Sequence, residues 1–365
     1  MSLINRKTLA AVGATAIAIA TTALFATPAQ AAASAGLAKV VGTKTVQFQA
    51  LLGKSNSVKL TISGRTVTIT DKVAIKAGKG CKSVNSKKVR CTTKVKTAKL
   101  NVALGDKNDY VRNYTNVYML ADAGSGNDTV IGGNASEELQ GDSGNDKLYG
   151  NGGNDKLFGE TGNDYIVGGA GNDRASGWTG ADKLYGNAGL DNLHGGSGND
   201  LLNGGTEVDV LSGADGNDYL FGGTGEYVSG GDIYGDTFYG DAGNDVIYGE
   251  GDTDIIEGGT GNDRISAGAD LDVVKGNDGN DSIWGDDGDD LLAGDDYTFY
   301  GDTFLAVGSA SAADRVNGGN NSDLCLVTGS STTSLCEGVV TDSAGLSVAG
   351  KAGDFSRFAK IRAAK

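Results

Sequence analysis

Carboxylates set nine residues apart are the first chemistry in this sequence. Between Ala123 and about Asp302 the tripeptide Gly-Asn-Asp occurs ten times, from Gly126-Asn127-Asp128 to Gly279-Asn280-Asp281, always at multiples of nine residues. In blocks counted from Ala123, Gly fills the first position in 18 of 20, an acid the sixth in 18 and a large apolar residue the eighth in 17. The phase runs through these blocks without an insertion. Side chains alternate across a strand, so a short x-U-x strand sends only its apolar residue U inward. The other six residues must turn the chain. Two blocks then make one circuit with a strand on each side, and turns two blocks apart stack at about 4.8 Å, the spacing of neighbouring strands. Carboxylates that close repel one another unless a cation lies between them. Carboxylates with backbone carbonyls are hard oxygen ligands, suited to calcium rather than to zinc, which requires Cys or His at close spacing.

The spacing predicts two ladders. One edge carries Asp128, Asp146, Asp164, Asp182, Asp200, Asp218, Asp236, Asp254, Asp272 and Asp290 without a gap. The other carries Glu137, Asp155, Asp173, Asp191 and Asp209, breaks at Tyr227, resumes with Asp245, Asp263 and Asp281, and ends at Phe299. All eighteen acids are candidate metal ligands. Glycines at the first and fourth positions are expected to take positive φ and turn the carbonyls in one direction. Glu207, Tyr234, Asp252 and Asp270 replace the fourth-position glycine, which predicts weaker or absent ions beside them.

The elements that position these acids follow from the rest of the chain. Of 365 residues, 61 are Gly and one is Pro, an imbalance that the repeat explains. Residues 1–31 read as an export signal: Arg6 and Lys7 precede an apolar stretch from Leu9 to Phe25, and Ala29-Gln30-Ala31 is a small-x-small cleavage site. A mature, secreted chain starting near Ala32 is expected, with no later segment long enough to span a membrane. In such a compartment the four cysteines are expected as local disulfides, Cys81 with Cys91 and Cys325 with Cys336.

The net charge of −15 conceals two opposite halves. Residues 32–121 hold 17 Lys and Arg against Asp71, Asp106 and Asp109, a net of +14; residues 122–302 hold 38 acids against 6 bases, a net of −32. Runs such as Val58-Lys59-Leu60-Thr61-Ile62 and Thr66-Val67-Thr68-Ile69 alternate apolar and polar residues and read as antiparallel strands of a small basic β domain, 32–121, closed by Cys81 and Cys91. The repeat occupies 122–302. Residues 303–340 carry degenerate repeats around Asp314 and Asp323 and a disulfide-closed cap, and 341–365 form an Ala/Lys-rich tail, either a short helix or a disordered segment.

The nonapeptide resembles the hemolysin-type, or RTX, calcium-binding repeat G-G-x-G-x-D-x-U-x. That resemblance implies an all-β fold, a right-handed parallel β-roll (a β-solenoid) with several calcium ions in its turns, here preceded by the small disulfide-stapled domain. The net of −32 is expected to hold the chain open by self-repulsion until cations neutralise it. The chain departs from RTX toxins and proteases, whose export signal lies at the C-terminus after a larger effector domain.

An enzyme has little to work with. The only histidine, His194, falls at an outward ninth position, and neither H-E-x-x-H nor G-x-S-x-G occurs. No Walker lysine follows the glycine-rich loops, whose surrounding field is acidic, and no nucleic-acid partner is expected. The expected function is therefore non-catalytic calcium binding. The alternative is a calcium-dependent adhesin that holds a cell-surface polymer or glycan, either through the basic N-terminal domain or through outward aromatics. Tyr149, Tyr165, Tyr185, Tyr219, Phe221 and Tyr239 are placed on one sheet by the phase, and Phe158, Tyr248 and Trp284 on the other.

Overall fold

The computed structural model describes residues 35–342 apart from 226, 230–231, 301–302, 308–313, 321–323, 329–331, 335 and 337. The export signal and the tail beyond 342 lie outside the described residues, as does Asp323. The described residues contain strands and no helix, wound as a parallel β-solenoid of about 11 turns. Two sheets of sixteen strands each form its two walls.

The first wall runs through Lys99–Asp106, Met119–Ser125, Glu138–Ser143 and Lys156–Thr161, and the second through Tyr110–Asn113, Thr129–Ile131, Lys147–Gly152 and Tyr165–Ala170. Successive blocks alternate between walls, as one apolar residue per nine requires. Leu148 pairs with Ile166 and Ile166 with Leu184 on the second wall, while Leu139 pairs with Leu157 on the first. Each of these residues is fully buried. The core is thus a double row of eighth-position side chains, each adding about 1.5–3 kcal/mol by leaving water. Most strands between Glu138 and Asp287 are six residues long rather than the three expected, because pairing resumes past the second position: Tyr149 pairs with Val167, and then Asn151 with Gly169.

The basic N-terminal segment extends both walls. Thr45–Gln49 pairs in parallel with Lys99–Asp106, and Ser57–Ser63 with Tyr110–Asn113. The order then turns antiparallel, with Gly36–Val41 against Thr45–Gln49 and Thr66–Thr70 between Ser57–Ser63 and Lys88–Thr92. Phe48, Leu60 and Ile69 cover the first rung of the roll, and Cys81 is bonded to Cys91 beside them. The Cys325–Cys336 disulfide closes the other end.

One expectation is overturned here. Tyr227–Ser229 and Asp232–Tyr234 pair antiparallel as a hairpin outside both walls. The roll resumes with Thr237–Ala242, so that Leu211 pairs with Phe238 and Leu220 with Ile247 across gaps of 27 residues instead of 18. The expelled segment is one block long. It therefore leaves the phase of the sequence intact while moving every later block to the opposite wall. A second hairpin, Asp296–Tyr300 with Thr303–Val307, is followed by Arg315–Asn317, which pairs with Ser282–Asp287. Phe299 is thereby part of a hairpin strand and not of a turn.

Candidate metal centre in the turns

Each turn places its sixth-position acid just before a strand, where the backbone of the neighbouring rung is within reach. The amide of Asp128 donates to Oδ1 of Asp146 at 2.7 Å, that of Asp146 to Asp164 at 2.7 Å, and the bond repeats through Asp182, Asp200 and Asp218. On the other edge the same bond links Glu137, Asp155, Asp173, Asp191 and Asp209. At the hairpin both ladders continue with exchanged members, Asp209 bonding Asp236 and Asp218 bonding Asp245, each at 2.7 Å.

The observed ladders are therefore Asp128, Asp146, Asp164, Asp182, Asp200, Asp218, Asp245, Asp263 and Asp281 on one edge, and Glu137, Asp155, Asp173, Asp191, Asp209, Asp236, Asp254, Asp272 and Asp290 on the other. The expected break at Tyr227 is absent because Tyr227 never enters a turn. All eighteen candidate acids are brought into the ladders, and two more join them. The amide of Asp109 donates to Asp128 at 2.6 Å, and that of Asp281 to Asp314 at 3.0 Å. Both lie two residues before a buried valine, Val111 or Val316, which is the sequence signal that marks them.

The second carboxylate oxygen is the informative one. In every ladder aspartate from Asp128 to Asp281 except Asp236, Oδ2 is buried and, among the described residues, without a hydrogen-bond partner. Buried carboxylate oxygens left unsatisfied cost several kcal/mol, so this row requires a cation or a proton. The first-position glycine shows the space kept for it. A Cβ on Gly141 would lie 2.5 Å from Oδ2 of Asp146 and 2.8 Å from the carbonyl oxygen of Gly159; on Gly258 it would lie 2.6 Å from Oδ2 of Asp263 and 2.8 Å from the carbonyl of Gly276. A side chain on either glycine would enter the gap between carboxylate and carbonyl, although Ala267 takes the equivalent place before Asp272. The first glycine is thus favoured by close approach and not by positive φ. Positive φ falls at the second and fourth positions, for example 68° at Asp142 and 130° at Gly144.

Among the described residues no three His, Cys, Asp or Glu side chains gather as a metal cluster. Oxygen from the backbone must complete any shell, as calcium accepts readily and zinc does not. Asn in the Gly-Asn-Asp tripeptide has a role that the sequence did not reveal. The amide of Asn145 donates to Oδ1 of Asn127 at 3.0 Å and that of Asn163 to Asn145 at 2.9 Å, so these bonds run opposite in direction to those of the aspartates. Each turn is held from both sides.

Electrostatics follow from this packing. Burial pushes Asp146, Asp155 and Asp200 up to about 7 from 3.8, against the lowering effect of the amide bond and with further raising by neighbouring acids. Asp254 reaches about 10 and Asp272 about 9, burial again leading, with Asp252 and Asp270 among the nearby acids that add to it. Those two fourth-position acids adopt φ of 88° and 77°, and Glu207 adopts 75°, so replacing glycine does not stop the turn from forming. Glu137 differs from the aspartates, because its Oε2 accepts from the amide of Gly133 at 3.1 Å. His194 is half-buried on the first wall, 3.1 Å from Oγ of Ser212, and burial lowers its pKa.

Walls of one buried side chain per nine residues, joined by turns that line up unsatisfied carboxylates, define a β-solenoid with the oxygen chemistry to bind cations. The sequence model of the RTX calcium-binding nonapeptide repeat matches residues 121–137, 131–166, 158–193, 194–228, 230–265 and 266–296. The stretch 121–296 of this chain is therefore an array of RTX calcium-binding repeats, and calcium is its ion. No curated protein matches the chain in sequence.

Proposed function

We propose that this is an exported, non-catalytic calcium-binding protein whose roll forms as calcium fills the ladder turns. The row of buried Oδ2 atoms carries this reading, because an ionised metal-free roll would have to leave it uncompensated. Asp128, Glu137, Asp146 and the other fifteen ladder acids would supply carboxylate oxygen, and first-position carbonyls such as that of Gly159 the remainder. A bound ion supplies positive charge between stacked turns; the chain's own part is to hold the oxygens in place and exclude water. Such a site does not exist before the roll closes, so binding free energy appears as stability. Extracellular calcium modules bind at about 10⁻⁴ to 10⁻³ M, which suits a chain that stays open inside the cell and folds outside it. The basic start and cleavage site of residues 1–31 support export, and the two disulfides agree with it.

Calcium titration of the mature chain, followed by circular dichroism and calorimetry, tests this directly. The expected result is a cooperative gain of β structure with uptake of several ions. Full β structure in EGTA that calcium leaves unchanged would refute it. A second reading, binding to a surface polymer or glycan, is favoured by one observation: outward aromatic rings approach one another along the second wall, Tyr149 and Tyr165 at 6.0 Å and Tyr165 and Tyr185 at 5.4 Å.

A further inference from the structure

The second wall has an outer face unlike the rest of the molecule. Its outward positions on either side of the buried row carry Lys59, Arg112, Lys147, Lys183, Arg264 and Arg315, all exposed. No acid stands at any of those positions, although Asp286 reaches the outward Ser266 from the edge of the wall and the roll as a whole carries a net of −32. The first wall is mixed at the same positions, with Asp122, Glu138 and Glu257 among its bases, and Glu257 pairs with Lys275 at 3.5 Å.

The aromatics follow the same division. After the exchange of walls at the hairpin, Tyr248 and Trp284 join Tyr149, Tyr165, Tyr185, Tyr219 and Phe221 on the second wall, while Tyr239 moves to the first beside Phe158. Phe221 and Tyr248 stack at 5.2 Å. Tyr219, Tyr248 and Trp284 stay 50%, 40% and 39% exposed, so their rings remain available to a partner.

The spacing along the roll is regular. Lys147 and Lys183 are two strands apart on one row, and Tyr149, Tyr185 and Phe221 are two strands apart on the adjacent row. Two strand spacings are about 10 Å, the rise of one disaccharide in an extended β-linked glycan.

We propose that this face binds an extended anionic polysaccharide lying along the roll axis, with about one acidic group per disaccharide meeting Lys147 and Lys183 and sugar rings resting on the aromatic row. This deepens the surface-binding reading above and rests on it. Charge complementarity selects an acidic polymer, and flat rings interleaved with cations favour sugar over an acidic peptide. Calcium in the turns would also remove the long-range repulsion between the acidic roll and such a polymer, making capture calcium-dependent.

The test is affinity electrophoresis of the mature chain in millimolar calcium through gels holding hyaluronan, a linear polymer with one carboxylate per disaccharide. Parallel gels hold neutral hydroxyethylcellulose or poly-glutamate, and intact bacterial envelopes serve in a separate pull-down. Retardation by hyaluronan, weakened about tenfold in Lys147→Glu/Lys183→Glu and in Tyr185→Ser/Trp284→Ser but not in the first-wall control Lys156→Glu/Arg174→Glu, supports the proposal. Circular dichroism in calcium confirms that each variant is folded, and Lys147→Gln/Lys183→Gln replaces any that is not. Equal binding to poly-glutamate, equal loss in the first-wall control, or no retardation of the wild type overturns it. Capture by envelopes without hyaluronan binding would sink the anionic-glycan face alone, whereas failure of both would sink the surface-binding reading as well.

Discussion

Acid should do part of what calcium does. Ladder carboxyls such as Asp146, Asp155, Asp191 and Asp245 rise to about 7 when the roll is folded without metal, against 3.8 when exposed to water. At about 1.4 kcal/mol per pH unit, keeping one of them ionised in the folded roll costs about 4 kcal/mol. Two or three such groups equal the whole stability of an ordinary domain, about 5–15 kcal/mol. A carboxyl with a higher pKa in the folded chain than in the unfolded one binds its proton more tightly when folded. Metal-free folding is therefore favoured below the ordinary carboxylate range and loses that advantage as pH climbs from about 4 through about 7. The experiment keeps the mature chain in EGTA and lowers pH from about 7.5 to about 5.5, with circular dichroism, light scattering and a pH-stat running together. β structure should appear with net uptake of protons, and calcium added to the acid-folded chain, freed of EGTA, should release protons instead. A chain equally disordered at both values, with no proton uptake, would refute the burial argument; so would a chain already fully folded in EGTA at neutral pH.

Two further outcomes follow from the turns. Deleting Glu226–Tyr234 restores the 18-residue step between Asp209 and Asp236, so calorimetry should find the same calcium stoichiometry and a stability in calcium changed by less than about 1 kcal/mol. Gly141→Ala places a methyl group between Oδ2 of Asp146 and the carbonyl of Gly159; the titration should lose one ion, and the calcium midpoint for folding should rise.

Much of this was legible because the repeat writes three residues per block in fixed phase. The apolar eighth position yields the double core row from Val130 to Leu292, and the acid at the sixth yields the ladders. The exchange of edges could not be read, since a hairpin one block long leaves the phase unaltered. Ser229 at an apolar position and Tyr227 at an acidic one are its traces, and the same two residues fit a defective turn as well as a block outside the roll. The second-position turn was hidden for another reason. Asp142, Asn151, Glu160 and Trp178 all take positive φ there, and their variety leaves no glycine signature. Asn145 and its equivalents were visible as part of a tripeptide, but the direction of their bonds belongs to the stacking of rungs and to no local rule.

The hairpin at Tyr227–Tyr234 also gives the roll a parity. Because one repeat is half a circuit, adding or removing an even number of blocks lengthens the molecule and leaves the sides as they were. An odd number inverts the sides of everything downstream. Had this block been wound into the roll, Tyr248, Arg264 and Trp284 would face away from Tyr149, Lys183 and Phe221. Expelling it keeps them on one side, so the surface chemistry of a roll of this kind depends on whether its interruptions count as odd or even.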